Sequence, residues 1–219
     1  MDLEQSFIPP DDVEAGGRTA VKRRAILSAA TEVFLANGYV GASMDEVAAK
    51  ASVSKQTVYK QFADKKHLFA EIVLGTAVPV VEGFTKAFQV ALDDATDARQ
   101  AFRDLARRFL VILLRPDVLR MRRLVLAEAD RFPEISGAWF ERCFRRSIED
   151  LGGAMERLVD RGLLRDLSDP LLAAYQFAGL VMYWPMNQVM FVGANAVPAD
   201  DELDRIADQA ADVFLAAYA

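Results

Sequence analysis

Lys55, Gln56, Thr57, Tyr59 and Lys60, all within the stretch SKQTVYKQF at 54–62, are the side chains of this sequence best suited to recognition chemistry. If the stretch is helical, Val58 and Phe62 lie four apart and bury together, which turns those five outward. Ammonium groups at both ends, with an amide and two hydroxyls between them, can grip phosphates and hydrogen-bond to base edges. Catalysis lacks its parts. The chain has one histidine, His67, and one cysteine, Cys143. It has no Ser-His-Asp/Glu arrangement, no glycine-rich phosphate loop after a strand and no ligand-spaced cluster for a metal, so neither an enzyme nor a cofactor is expected.

The neighbouring residues supply elements that would hold this set. Ser54 is a side-chain cap for the helix that carries it. A shorter helix precedes it, capped by Ser43, with Asp45 and Glu46 in its first turn and Val47, Ala48 and Ala51 on one narrow apolar face. Only Ala51-Ser52-Val53 separates the two, so 43–62 is a helix-turn-helix. Before it, 19–37 places Ile26, Leu27, Ala30, Val33 and Phe34 at helical spacing, with Gly38 as the stop. After it, Asp64 caps a fourth helix through Leu68, Phe69, Ile72 and Val73, which Pro79 is expected to kink or end. Lys65 and Lys66 oppose that helix's dipole, and a polyanion would compensate. Lys55, Gln56, Thr57 and Tyr59 are expected at the major groove, with Gln56 or Thr57 touching bases. Lys60, Lys65, Ser43 and the Arg18, Lys22, Arg23, Arg24 cluster are expected to hold phosphates, with Ser54 and Gln61 on the same surface.

Charge is divided along the chain in the same sense. The net charge is -6 over 219 residues, yet 18–66 carries nine bases against four acids, whereas 1–17 carries five acids and no base. Positive charge therefore collects where the outward set lies, and the first residues read as a flexible acidic tail without a secretory signal. Hydrophobic residues make up 53% of the chain, enough for one or two packed domains. A lone Cys143 between Phe140 and Phe144 excludes an intramolecular disulfide framework, suits a small packing residue and fits a cytoplasmic home.

RRAILSAATEVFLANGYVGASMDEVAAKA, then VSKQTVY, then a Phe, a short acidic turn and KKHLF occur in order between Arg18 and about Phe69. This segment resembles the DNA-binding domain of the TetR family of bacterial transcriptional regulators. The resemblance implies a three-helix domain, 18–66, followed by a larger helical domain, 67–219, that dimerises and often holds a small ligand. It also implies a repressor that binds double-stranded operator DNA. Ser52 stands where the family usually has Gly, and Gln61 where it commonly has His. Ser costs a little if that position needs positive φ, and Gln61 can still donate to a phosphate.

The remainder patterns as helix throughout, so the class is all-α. Residues 97–114 carry Phe102, Leu105, Ala106, Phe109, Ile112 and Leu113 on one stripe, stopped by Pro116. A second helix runs from Asp117 to Phe132, ended by Pro133, and a third from about Glu134 to Arg161, closed by Gly162. Ser168-Asp169-Pro170 starts an uncharged stretch, 171–192, long enough to span a membrane. Gln176, Pro185, Asn187 and Gln188 interrupt it and its flanks are acidic, so it reads as a helix buried on every side. The last helix covers 199–217. Helices at about 170–192 and 199–217 are expected to make a four-helix homodimer interface, as the resemblance implies. Phe102, Phe109, Met121, Leu124, Phe144, Phe177, Tyr183 and Trp184, with Glu128 and Gln176 as polar members, are candidates for lining a pocket; core packing accounts for most of them equally well. A homodimer on palindromic DNA, released by a largely apolar ligand, is the reading preferred over a ligand-independent regulator or a helical protein-interaction scaffold.

Overall fold

The structure, a computed structural model, describes residues 17–93 and 95–219; apart from Gly17, the expected acidic tail lies outside that range. Among these residues the regular elements are all helical: α1 (Arg18–Gly41), α2 (Met44–Lys50), α3 (Lys55–Gln61), α4 (Lys65–Phe88), α5 (Ala98–Leu113), α6 (Pro116–Ala127), α7 (Pro133–Phe140), α8 (Arg146–Asp160), α9 (Pro170–Val192) and α10 (Asp200–Tyr218). They pack into two compact units. One groups the chain up to Thr76 with Leu124–Ser136, and the other groups Ala77–Arg123 with Gly137–Ala219.

In the first unit, Ile26, Ala30, Val33 and Phe34 of α1 close over Val47 and Ala48 of α2, Val58 of α3, and Phe62, Leu68 and Phe69 beyond it, all buried. Gly38, at φ +67°, breaks α1 where the sequence places a stop, and one further turn carries the chain to Gly41. The turn between α2 and α3 is a Schellman motif: Val53 donates to the Ala48 carbonyl at 3.0 Å and Ser52 to that of Ala49 at 3.1 Å. That geometry puts Ser52 at φ +54°, the one positive-φ position among the described residues that is not glycine. The same motif ends α8, where Gly162 fills the left-handed position.

Two expectations about helix ends are corrected by the structure. The helix expected to reach Phe132 stops at Ala127, and Phe132 donates to the Glu128 carbonyl at 2.9 Å in the turn that follows. Pro133 opens α7 instead of closing α6, because a first-turn position needs no N–H and suits its fixed φ. This turn belongs to the first unit, where the Phe132 ring sits 4.6 Å from that of Tyr39 and 5.7 Å from that of Phe69. At position 79, where the helix was expected to kink or to end its first part, α4 runs on.

The second unit is built on α5, α8, α9 and α10. Phe102 of α5 lies 5.0 Å from Phe177 of α9 and 4.8 Å from Phe214 of α10, so three helices share one aromatic centre. Along the rim, Arg99, Arg103 and Arg107, one helical turn apart, pair with Asp212, Asp208 and Asp204 at 2.6, 2.7 and 2.8 Å, and Arg107 also reaches Asp200 at 2.7 Å. Running antiparallel at matched spacing, these charges fix how far α5 can slide along α10. The long helix expected over 134–161 is interrupted by a five-residue π-turn, Glu141–Arg145, between α7 and α8. Cys143 is buried in that turn; burial pushes its thiol up to about 12, although Arg122 and Arg142 pull the other way. Such a thiol is a packing group, not a nucleophile.

Helix α9 departs from the expectation of burial on every side. Ala173, Ala174, Phe177, Val181 and Val189 are buried, but Leu172, Tyr175, Tyr183, Phe191 and Val192 are exposed, Phe191 to 86%. One face packs on the unit and the other faces away from it. No helix among the described residues is long and apolar enough to cross a membrane.

The strained turn yields a stability prediction. A left-handed residue with a side chain costs on the order of 1 kcal/mol, so Ser52→Gly should raise stability by about that much, or roughly 2–4 °C in thermal unfolding followed by helical ellipticity. Unchanged or lowered stability would contradict a strained position 52.

Candidate nucleic-acid interface

Two serine caps and one buried pair set the geometry of the outward face. The Ser43 hydroxyl accepts from the Glu46 amide at 3.1 Å and starts α2, with Asp45 and Glu46 in its first turn. The Ser54 hydroxyl accepts from the Thr57 amide at 3.1 Å and starts α3. Val58 and Phe62 are then buried to 0% and 1% exposure. Lys55, Gln56, Tyr59 and Lys60 are left exposed, and Thr57 is half-buried.

The structure sorts these side chains by how free they are. Gln56 and Lys60 have no partner among the described residues, so an amide with both donor and acceptor and an ammonium are available without breaking a contact. Lys60 also falls in the last turn of α3, where positive charge suits the helix dipole. Lys55 pairs with Asp45 at 2.7 Å, and its ammonium lies 6.0 Å from the Tyr59 ring centre. The Thr57 hydroxyl is 2.8 Å from that of Ser54, so part of its hydrogen-bonding capacity is used internally. Gln61 is half-buried at the end of α3.

The phosphate candidates divide in the same way. Arg18 and Lys22 are exposed on the first turns of α1, and neither they nor Arg24 have a partner among the described residues. Lys65 is committed to the fold: its ammonium donates to the Val40 carbonyl at 3.1 Å and lies 4.6 Å from the centre of the Tyr39 ring. Partial burial, followed by the nearby Arg131, lowers its pKa from the ordinary lysine value. Lys66 pairs with Glu134 at 2.7 Å.

Sequence reasoning missed three polar ties. Arg23 pairs with Glu71 and places its guanidinium 4.7 Å from the centre of the Phe62 ring, pinning the end of α3 between α1 and α4. The Asn37 amide donates to both Glu46 oxygens at 2.9 and 3.1 Å, joining α1 to α2. Lys50 pairs with Glu32 at 2.8 Å. Each of the four acids in 18–66 is therefore engaged, which leaves the field of the unpaired bases uncancelled at the surface. No pattern in the sequence pairs position 23 with 71, because the contact depends on how the helices cross.

The candidate pocket residues lie in separate places. Phe102, Phe109 and Phe177 sit in the aromatic centre of the second unit. Gln176 and Tyr183, with Leu180, Val213 and Tyr218, line a groove of about 500 Å³ between the outer faces of α9 and α10. Trp184 is exposed beneath Arg205 at 5.7 Å, Met121 is buried, and Phe144 lies 4.6 Å under Arg122. Leu124 and Glu128 belong to the first unit, where Leu124 is buried and Glu128 pairs with Arg131 at 3.5 Å.

The start of α4 gives a pH prediction. Asp64 accepts from the His67 amide and from the His67 ring, both at 2.8 Å. Partial burial alone would raise the Asp64 pKa, but these hydrogen bonds and the charge of His67 outweigh it and lower the value. A carboxylate depressed on folding adds stability above its unfolded value of about 3.9, and that stability is lost as pH falls through the lower folded value. Asp64→Ala should cost about 1 kcal/mol at neutral pH. The wild-type advantage over Asp64→Asn should close as pH drops below both values; a gap that persisted there in denaturant titrations would contradict this role.

Comparison with known proteins bears on the whole chain. Residues 26–72 match the family described as bacterial regulatory proteins, tetR family, and residues 100–219 match the AefR-like transcriptional repressor, C-terminal domain. The crystal structure of a protein from Mesorhizobium loti MAFF303099 assigned to the TetR family is 40% identical, with a TM-score of 0.85 over 92% of this chain and 98% of that one. The flavonoid-responsive regulator FrrA is 25% identical, with a TM-score of 0.70 over 90% of this chain and 96% of its own. The transcriptional activator FasR of Mycolicibacterium smegmatis is 35% identical over 80 residues, and this chain spans only 36% of its length. Helix caps, buried pair, basic surface and both matched regions lead to one conclusion: the chain belongs to the TetR family of bacterial transcriptional regulators, which bind DNA and are not enzymes.

Proposed function

We propose that this protein is a cytoplasmic repressor that binds a palindromic operator as a homodimer and is released by a small, largely apolar ligand. Residues 18–66 are the reading domain and 67–219 the dimerisation and ligand domain. The observation that carries this reading is the outward face of α3, where Gln56 and Lys60 stand free while every acid in 18–66 is engaged. Gln56 is the base-reading residue, with Thr57, Tyr59 and Lys55 beside it. Lys60, Arg18, Lys22, Ser43, Ser54 and Gln61 hold the backbone, and Lys65 supports them through the end of α1.

Dimerisation is supported by the exposed apolar face of α9 together with Val213 of α10. A second copy seated there, through about 170–192 and 199–217, would cover surface that water otherwise meets and supply the second reading head that a palindrome needs. The repressor sign follows the description of the matched carboxy-terminal family, and ligand control follows FrrA, whose name makes that protein responsive to flavonoids. Ligand binding favours a spacing of the two heads that no longer fits the duplex, so DNA affinity falls.

Mobility shift against the DNA flanking its own gene tests the reading. Two protomers per duplex are expected, with Gln56→Ala relaxing discrimination between the site and scrambled DNA. Lys60→Ala should weaken both DNAs alike and flatten the salt slope by about one for each phosphate no longer neutralised, about two for a dimer. A monomer with no preference over random competitor, or two variants with the same sequence and salt dependence, would overturn it.

A further inference from the structure

In the second unit one half-buried cation has no acceptor among the described residues. Arg122 of α6 is half-buried and places its guanidinium carbon over the Phe144 ring, 4.6 Å from its centre, a contact that supplies no acceptor for its N–H groups. Among the described residues no carboxylate or carbonyl accepts from it, although Arg99, Arg103, Arg107, Arg115, Arg145, Arg157 and Arg161 all have such acceptors. On the edge of the same Phe144 ring, with centroids 5.4 Å apart, sits Trp139, whose indole N–H is buried without an acceptor while the residue is 7% exposed. The π-turn Glu141–Arg145 carries Phe144 and Cys143 to this spot.

A fork of guanidinium donors and a single indole N–H, without a nearby acceptor, match an anion; the aromatic surroundings match an apolar body behind it. We propose that Arg122 and Trp139, over Phe144, receive the head of a hydrophobic monocarboxylate, the guanidinium binding both oxygens and the indole donating to one of them. This deepens the reading of the second unit as a ligand domain and rests on it. The fork alone suits carboxylate and phosphate alike; the apolar surroundings disfavour a bare inorganic anion and favour an acid with a hydrophobic body.

Titration calorimetry on the full chain, with naphthoate and decanoate as probes against naphthalenemethanol and decanol, tests the assignment. The carboxylates should bind at least about tenfold more tightly than their neutral counterparts. Arg122→Met should erase that preference and Arg122→Lys restore part of it. In a Trp184→Phe background, carboxylate binding should shift the emission of Trp139, and inorganic phosphate should not compete. Equal affinity for acid and alcohol, a preference that survives Arg122→Met, a silent Trp139 or no binding of either acid would each overturn the proposal; if Arg122→Met fails to fold, the acid-against-alcohol comparison and the Trp139 signal on otherwise intact protein still decide it. Operator binding measured without any probe keeps the two readings apart: DNA bound and carboxylates ignored sinks this inference alone, whereas no operator binding sinks the reading beneath it.

Discussion

The burial of Val58 and Phe62 is the contact on which the proposed reading surface depends. A seven-residue helix has no stability of its own in water, and side-chain hydrogen bonds at its cap cannot supply it. What holds α3 is roughly 1.5–3 kcal/mol from each of two apolar side chains removed from solvent, with Arg23 over Phe62 and Glu71 beyond it closing the far end. Because neighbouring residues on a helix are about 100° apart, that pair also decides which side chains face outward. Gln56 and Lys60 lie on the opposite side from Val58, so the side chains proposed for recognition are positioned by packing chemistry.

The second unit is held by different means. Its aromatic centre of Phe102, Phe177 and Phe214 supplies cohesion without specifying a register, since rings tolerate small slides. The arginine and aspartate ladder between α5 and α10 supplies register at little net energy, as partly exposed ion pairs do. Arg161 closes the unit at the far end of α4 by donating to the carbonyls of Leu92 and Asp93 at 2.9 and 2.8 Å, which a π-turn there leaves short of partners. Helix α9 is thereby fixed by one face only, and its other face keeps a string of large apolar side chains in water.

What could be read in the sequence was what local chemistry determines. Ser43, Ser54, Asp64 and Asp169 cap helices as their side chains dictate, Gly38 and Gly162 adopt the left-handed backbone that ends a helix, and the stripe of α5 is buried where its spacing puts it, Ile112 only in part. Ser52 was legible as a departure, and its positive φ shows that the turn keeps a geometry its side chain opposes. Tertiary features were not legible. Pro133 could end one helix or begin the next, and only the Phe132 contact with Tyr39 chooses. The π-turn leaves no periodicity error large enough to notice, since it adds one residue to a long stripe. That Lys65 also ties down the end of α1 was not legible, because nothing local reveals a carbonyl twenty-five residues earlier in the chain. An uncharged helix looked wholly buried because the sequence of one chain cannot distinguish burial within it from surface left for another.

The central claim is that two copies of the α3 surface read one duplex together. Selection of bound sites from a fully random duplex library, using the purified chain, tests it most directly. The account predicts an enriched motif made of two inverted half-sites whose centres lie about one helical turn apart, near 10 base pairs, or a multiple of it. Enrichment of a single unpaired half-site, or no enrichment over the starting pool, would contradict it.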